Sequence, residues 1–234
     1  MSEVTSGRQA APSIWIVVPA FNEEATIGAA VASLSSLNWE VVVVDDCSAD
    51  RTADRACAAG ACVVSHPINL GQGAALQTGI AFALRKGATH IVTFDADLQH
   101  RAQDVSKLLK ALQEAGADFA LGSRFLGSAE NMDRSRRMVL QGAVIFTRLT
   151  TGLKLTDVHN GIRAMTRRGA CVLNIRQNRM AHGSEILQQI AKSRLPYIEV
   201  PVTIEYTSYS KAKGQKLTNS VSIILELISG ALQR

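Results

Sequence analysis

Asp95 and Asp97 stand one residue apart, directly after Ile91-Val92-Thr93-Phe94, and Gln99 and His100 follow them. Positions i and i+2 of a strand face one side, so the two carboxylates share a side and repel each other. No Lys or Arg lies between them, and the pair therefore calls for a counter-charge. Hard oxygen ligands suit Mg2+ or Mn2+, which shares one or two carboxylates with substrate phosphates and can neutralise the charge on a departing diphosphate. Two solvated loop aspartates, or a helix cap, would give the same spacing.

Other segments carry chemistry that is open in the same way. Asp45 and Asp46 follow the valines 41–44; either can accept a hydrogen bond from a ring N–H or a ribose hydroxyl, or belong to a turn in which Ser48 caps the next helix. Asn69-Leu70-Gly71-Gln72-Gly73 precedes a helix start, where N–H groups meet anions, or is a tight turn. It lacks the third glycine of a dinucleotide fingerprint, and no Walker A motif occurs. Arg124, Arg134, Arg136, Arg137 and Arg163 gather in the middle of the chain. Arginine forks match phosphate geometry, although a basic surface would serve equally for Arg134, Arg136, Arg167 and Arg168. Asp157 and Glu185 are isolated acids in a basic stretch: general bases or partners of arginine, with Glu185 also suited to a first helical turn. His182 reads as a capping or packed residue. Ser48, Ser184 and Cys171 have no evident base partner, so no hydrolase triad is seen.

The elements that must position these groups alternate. Strands are expected at 14–18, closed by Pro19, and at 41–44, 61–65, 90–94 and 119–121. Helices are expected from Asn22 as cap, then over about 50–59, 74–85 and 104–115. Such alternation implies a mainly parallel sheet covered by helices on both faces, in which ligands bind outside the carboxyl ends of the strands. The Pro19-Ala20-Phe21-Asn22 turn, Asp45 with Asp46, and Asp95 with Asp97 would then share one edge. Further on, 124–136 reads as a basic loop, 138–150 as a helix, 158–161 as a turn into a strand at 162–165, and 181–192 as a helix. An edge strand at 198–205, a basic loop at 206–215 and a last helix at 217–232 complete the pattern. One domain spans 1–234, with no linker or repeat.

Hydrophobic residues at 47% and charged residues at 19% suffice to bury a core. Residues 1–123 hold 8 Lys/Arg against 13 Asp/Glu, and residues 124–234 hold 17 against 7. An acidic half that handles a cation and a basic half that handles anions would follow, or simply a solvated basic surface. With three Tyr, six Phe and two Trp and no stacking motif, nucleic acid is not the expected partner. The four cysteines form no CxxC pair, there is no signal-type segment, and no apolar run is long enough to cross a membrane. A cytoplasmic location is expected.

Seven segments in order, “VVPAFNEEATI” (17–27), “VVVVDDCSADRT” (41–52), “NLGQGAALQTGI” (69–80), “FDADLQH” (94–100), “GSRF” (122–125), “TDVHNGIRAMTR” (156–167) and “VPVTIEYTSYSKAKGQ” (200–215), resemble the family 2 glycosyltransferases of the GT-A fold. The branch they resemble most contains the dolichol-phosphate-mannose-synthase-like enzymes and bacterial polyprenyl-phosphate glycosyltransferases. The resemblance implies an α/β GT-A fold with one Rossmann-like sheet. It implies a hexosyltransferase that moves a sugar, with inversion, from a UDP- or GDP-type nucleotide-diphosphate sugar to a polyprenyl phosphate or glycan in cell-envelope synthesis, using Mg2+ or Mn2+. It places Pro19, Phe21, Glu23, Asp45, Asp46 and Gly71 at the nucleotide sugar, Asp95, Asp97 and Gln99 at the metal and diphosphate, and Asp157, Gly161 and Arg163 in a D-x-x-x-G-x-R element. It places Arg124 and Arg137 at an acceptor phosphate, and Ser210 and Lys211 in a closing basic loop. Residues 1–123 would form the nucleotide and metal half, and 124–234 the acceptor half.

A phosphate acceptor is already an anion at neutral pH and needs positioning rather than a base; a hydroxyl acceptor would need Asp157 or Glu185. Ile162 stands where the family has an aromatic residue. The C-terminal membrane helices of many relatives have no counterpart in this sequence, although 217–232 could lie at a membrane interface, which would add peripheral contact with the inner face of the cell membrane. Two other readings compete. A nucleotidyltransferase would carry a Gly-rich basic loop where “PAFNEE” stands, and a non-catalytic nucleotide-sugar-binding scaffold would not need the intact Asp95, Asp97 and Gln99.

Overall fold

The structure, a computed structural model, describes residues 12–37, 39–130, 132–178 and 181–206. Its elements run β1 (Ile14–Ala20), α1 (Ile27–Ser35), β2 (Glu40–Asp45), α2 (Thr52–Ala58), β3 (Cys62–Ser65), α3 (Gln72–Arg85), β4 (His90–Thr93), α4 (Ala102–Ala115), β5 (Phe119–Glu130), α5 (Arg134–Thr151), β6 (Arg163–Thr166), α6 (Arg167–Val172), α7 (His182–Ser193) and β7 (Tyr197–Glu205). The strands form one seven-stranded sheet ordered β3-β2-β1-β4-β6-β5-β7.

The valine strand shows why the sheet is covered on both faces. Successive side chains of a strand point to opposite sides. Val41 and Val43 join Ile16 and Val18 in a core under α1, α2 and α4. Val42 and Val44 join Trp15 and Val17 in a second core under α3, α5, α6 and α7. A strand buried on both sides can be apolar throughout, and that is the pattern of β1 and β2.

All neighbouring strands pair in parallel except β6, which is antiparallel to both β4 and β5. This reversal matters for the site. A parallel strand offers its last residues to the carboxyl edge, whereas an antiparallel one offers its first. Arg163 opens β6 opposite Thr93, the last residue of β4, so the preceding turn, Asp157 to Ile162, arrives beside Asp95.

Several expectations are corrected. Pro19 does not close β1: it lies inside it, opposite Val44. Asn22 caps no helix. It takes a left-handed φ of 52°, accepts from the Ala49 N–H at 2.9 Å and donates its own N–H to Ser48 Oγ at 2.9 Å, while α1 starts only at Ile27. The side chain tolerates this φ because an Asn can bond locally. Most of 124–136 is not loop. β5 continues to Glu130 along β7 across a bulge between Ser123 and Ser128, and Gly127 passes so close that a Cβ would meet the Val202 carbonyl oxygen at 2.2 Å. The polar composition hid this because the outer stretch of β5 is largely solvent-facing. The short α6 was not anticipated. The basic loop beyond Tyr206 and the helix at 217–232 lie outside the described residues.

Candidate active site

Loops after β1, β2 and β4, together with the turn before β6, meet at the carboxyl edge. After β2, Asp45 and Asp46 separate in role. Asp46 is consumed by the chain: its Oδ1 accepts from the Leu70 N–H (2.9 Å) and faces His66 Nδ1 (2.7 Å), and its Oδ2 accepts from the Gly71 N–H (2.6 Å). His66 Nε2 in turn meets Thr78 Oγ1 at 2.9 Å. The Asp46 carboxylate and the Gly71 N–H thus bond to each other within the chain. Both are spent in tying the 69–73 loop to β2. Asp45, only 5% exposed, keeps its Oδ1 buried without a hydrogen-bond partner. Phe21, which follows Asp45's register partner Ala20, is 43% exposed, and Glu23 is buried, its N–H on Thr52 Oγ1 (2.8 Å) and its Oε2 accepting from Thr26 (2.9 Å).

After β4, Asp95 is held from two sides: Gln72 Nε2 donates to its Oδ1 at 3.2 Å, and His100 Nε2 lies 3.0 Å from its Oδ2. Gly161 is required here, since a Cβ would sit 2.0 Å from Asp95 Oδ2. Burial pushes the Asp95 pKa up, but the His100 bond and the positive charges of His100, Arg163 and His182 outweigh it, and the carboxyl is held below its ordinary range. Asp97 moves the other way. Burial and then the Asp95 charge raise it, and the two bonds from Gln99, N–H to Oδ1 (3.1 Å) and Nε2 to Oδ2 (2.5 Å), offset only part. Leu98, at φ 60°, makes the tight turn that brings Gln99 back to Asp97.

Among the described residues no three His, Cys, Asp or Glu groups close into a metal cage. The donor set fits Mg2+ or Mn2+ all the same, because such ions take one or two carboxylates and complete their shell with phosphates and water. Asp97, whose ionised form is disfavoured in this surrounding, fits a cation best.

Before β6, Asp157 is buried against Arg124. Its Oδ2 accepts the Arg124 N–H (3.0 Å) and Nε (2.6 Å), and its Oδ1 accepts the His159 N–H (3.2 Å). The guanidinium also donates to Tyr206 Oη (2.7 Å) and to the His159 carbonyl oxygen. Arg124 is therefore an internal tie between β5, this turn and the end of β7. Asp157 is correspondingly engaged and does not present a free base. Glu185 accepts from the Arg176 and Gln177 N–H groups (3.0 and 2.8 Å) and serves the 176–177 turn. Arg137 is exposed on α5. Arg163 is 5% exposed and forms no hydrogen bond or ion pair among the described residues, although Asp95 and Asp157 both favour its charge. His159 is exposed by surface area, yet the desolvation it feels among its neighbours, with the nearby Arg124 and Arg163, outweighs Asp157 and lowers its pKa to about 4. Ser210 and Lys211 lie outside the described residues.

The structure thus brings Asp45, Asp95, Asp97, Gln99 and Arg163 to one edge. It adds Gln72, His100, His159 and Asn160, which sequence reasoning left unassigned. His100 carried a signal, its adjacency to Gln99, but its partner Asp95 precedes it by a turn whose path is not written in composition.

An α/β sheet with this order, with a carboxylate pair and buried unpaired polar atoms at its carboxyl edge, fits a class of enzyme that binds a polar ligand there. The comparisons then place the chain. The model of “Glycosyl transferase family 2” matches residues 15–173: the chain belongs to this family and is a glycosyltransferase. An uncharacterized protein of Methanocaldococcus jannaschii is 37% identical over 220 residues, covering 92% of this chain and 90% of that one. The UDP-N-acetylglucosamine–dolichyl-phosphate N-acetylglucosaminyltransferase of Methanococcus voltae is 30% identical over 237 residues, covering 92% and 94%. The glucosyl-3-phosphoglycerate synthase of Mycobacterium tuberculosis, crystallised with Mn2+ and UDP-glucose, aligns with TM-score 0.74 at 24% identity over 95% of this chain and 78% of that one. The last likeness shows the fold, GT-A. The expected family, dolichol-phosphate branch, fold and enzyme class, a hexosyltransferase type, are borne out.

Proposed function

We infer that this glycosyltransferase moves a hexose, with inversion, from a nucleotide-diphosphate sugar bound with Mg2+ or Mn2+ to a polyprenyl phosphate. One observation carries the reading. Buried polar atoms in proteins are nearly always hydrogen-bonded. Three described side-chain atoms are not: Asp45 Oδ1, His100 Nδ1 and Asn160 Nδ2. Asp45 ends β2, His100 follows β4 and Asn160 precedes β6, at the edge where Asp95 and Asp97 stand. Orphans on one edge of the sheet, beside two acids, are what a polar ligand with a cation would satisfy.

In this reading Asp45 accepts a hydrogen bond from the nucleoside, with Pro19 and Phe21 shaping the turn against it. Asp97, with Asp95 and Gln99 adjacent, holds the metal, which when bound would neutralise the charge on the leaving diphosphate. Gln72 and His100 keep Asp95 in place. The acceptor phosphate oxygen attacks the anomeric carbon from the face opposite the diphosphate, and the bond to the diphosphate breaks with its electron pair. A phosphate needs no base, in keeping with Asp157 and Glu185 being engaged elsewhere. The family relative that glycosylates dolichyl phosphate supports this acceptor class. Residues 1–123 would supply the nucleotide and metal half, and 124–234 the acceptor half.

The test is incubation with Mn2+ and a panel of UDP-, GDP- and dTDP-sugars, with and without undecaprenyl phosphate. Nucleotide release matched by glycosyl phospholipid is expected. Release only in the presence of a saccharide acceptor would overturn the phosphate reading.

A further inference from the structure

His66 is buried, and both nitrogens of its ring are engaged. Nδ1 lies 2.7 Å from Asp46 Oδ1, and Nε2 lies 2.9 Å from Thr78 Oγ1 on α3. The Asp46 carboxylate is buried too, and each of its oxygens already accepts a backbone N–H: Oδ1 that of Leu70 at 2.9 Å, Oδ2 that of Gly71 at 2.6 Å. A carboxylate in that state only accepts, so the imidazole donates to it through Nδ1. Burying a carboxylate is costly even when it is fully hydrogen-bonded, and such a group adds little to stability. What it does fix is one arrangement of the groups bonded to it, here the Leu70–Gly71 backbone.

That backbone delivers Gln72. Gly71 has a φ of 97°, a conformation that favours glycine, and α3 begins at the next residue. Gln72 Nε2 then donates to Asp95 Oδ1 at 3.2 Å. The path from His66 to Asp95 is bonded at every step: His66 to Asp46, Asp46 to the Gly71 N–H, Gly71 to its neighbour Gln72, and Gln72 to Asp95. His66 also reaches the nucleoside end, but by its backbone. Its N–H donates to the Asp45 carbonyl oxygen at 2.9 Å, a bond that replacing the side chain leaves in place. We propose that the His66 side chain is a positioning residue for Asp95, acting through Asp46, the Gly71 N–H and Gln72. The inference rests on the reading above of Asp95 and Asp97 as the cation site.

The test is Mn2+ binding at saturating UDP or GDP, read from the loss of the free-Mn2+ electron paramagnetic resonance signal, together with metal-free nucleotide affinity and Tm. His66→Ala and Gln72→Ala should each weaken Mn2+ by roughly three- to tenfold, the scale of one net hydrogen bond, while metal-free nucleotide affinity changes far less. The two losses should not add in the double variant, because one acts through the other. His66→Asn, whose Nδ2 can donate to Asp46 as Nδ1 does, should recover most of the loss. Thr78→Val, which frees Nε2 and leaves Asp46 untouched, should shift Mn2+ in the same direction and lose that effect in the Gln72→Ala background; it decides the matter should His66→Ala fail to fold. Additive losses would mean that His66 acts apart from Gln72 and would overturn the proposal. A lowered Tm with unchanged Mn2+ affinity, or an equal loss of metal-free nucleotide, would make the chain a structural prop and overturn it also. Wild-type protein that takes up no Mn2+ with either nucleotide would instead sink the cation-site reading itself, and this inference with it.

Discussion

Asp97 is pushed above the ordinary carboxylate range first by burial and then by the Asp95 charge. The sign has two consequences. An acid whose folded pKa is raised destabilises the fold once the pH exceeds its unfolded value, about 3.9. Asp97→Asn should therefore leave the metal-free protein as stable at pH 7 as the wild type or more so, with the difference vanishing below about pH 4. The same substitution should abolish the gain that Mn2+ with UDP gives the wild type, roughly 5 °C or more in Tm at saturating ligand. Thermal scans at both pH values check this, and a collapse of folding in Asp97→Asn would show the carboxylate to be structural.

At the scale of elements, the antiparallel β6 decides what meets Asp95. The turn from Asp157 to Ile162 reaches the carboxyl edge only because β6 runs backwards, and Gly161 then passes within what would be 2.0 Å of Asp95 Oδ2 for any Cβ. That carboxylate is held by Gln72 and His100 and has little room to retreat. Gly161→Ala should leave the Tm within a few degrees, by about 1–2 kcal/mol of strain, yet lower turnover by roughly a hundredfold, as a small misplacement of a site group does. Turnover near the wild-type value would mean that Asp95 moves freely. On the opposite side, the Asp46–His66–Thr78 chain, with the Leu70 and Gly71 N–H groups on Asp46, ties the loop after β3 to the end of β2.

At the scale of the whole molecule, α5 turns apolar residues outward. Met138 (72% exposed), Ile145 (61%) and Leu149 (81%) lie on one side of the helix, with Arg134 and Arg137 exposed near its start. Apolar groups flanked by arginine suit an anionic lipid surface, where a polyprenyl phosphate would reside. No described helix is long and apolar enough to cross a membrane. Co-sedimentation with phosphatidylglycerol vesicles should therefore retain the protein, and Ile145→Glu with Leu149→Glu should reduce retention by about tenfold, through the lost apolar burial and added repulsion. Equal retention of the double variant would place the contact elsewhere.

Much of this was legible in the chain. The valine run 41–44 and the Asp-x-Asp after β4 are local: side-chain alternation and the end of a hydrophobic run fix which way they face, and those rules act over a few residues. The ordered motifs fixed the family. The roles of Asp46, Arg124, Asp157 and Arg163 were not legible, because each depends on a partner far along the chain: Asp46 on Gly71, Arg124 on Asp157 and Tyr206, and Arg163 on having none. Composition says that a charge exists, but not whether another arrives to neutralise it. Sequence alone determined the alternating elements, the family and the acid pair that asks for a cation. Only the tertiary structure decided which carboxylates and guanidiniums remain open to a ligand, since hydrogen bonds and Coulomb attraction act through space, across contacts that the fold alone creates.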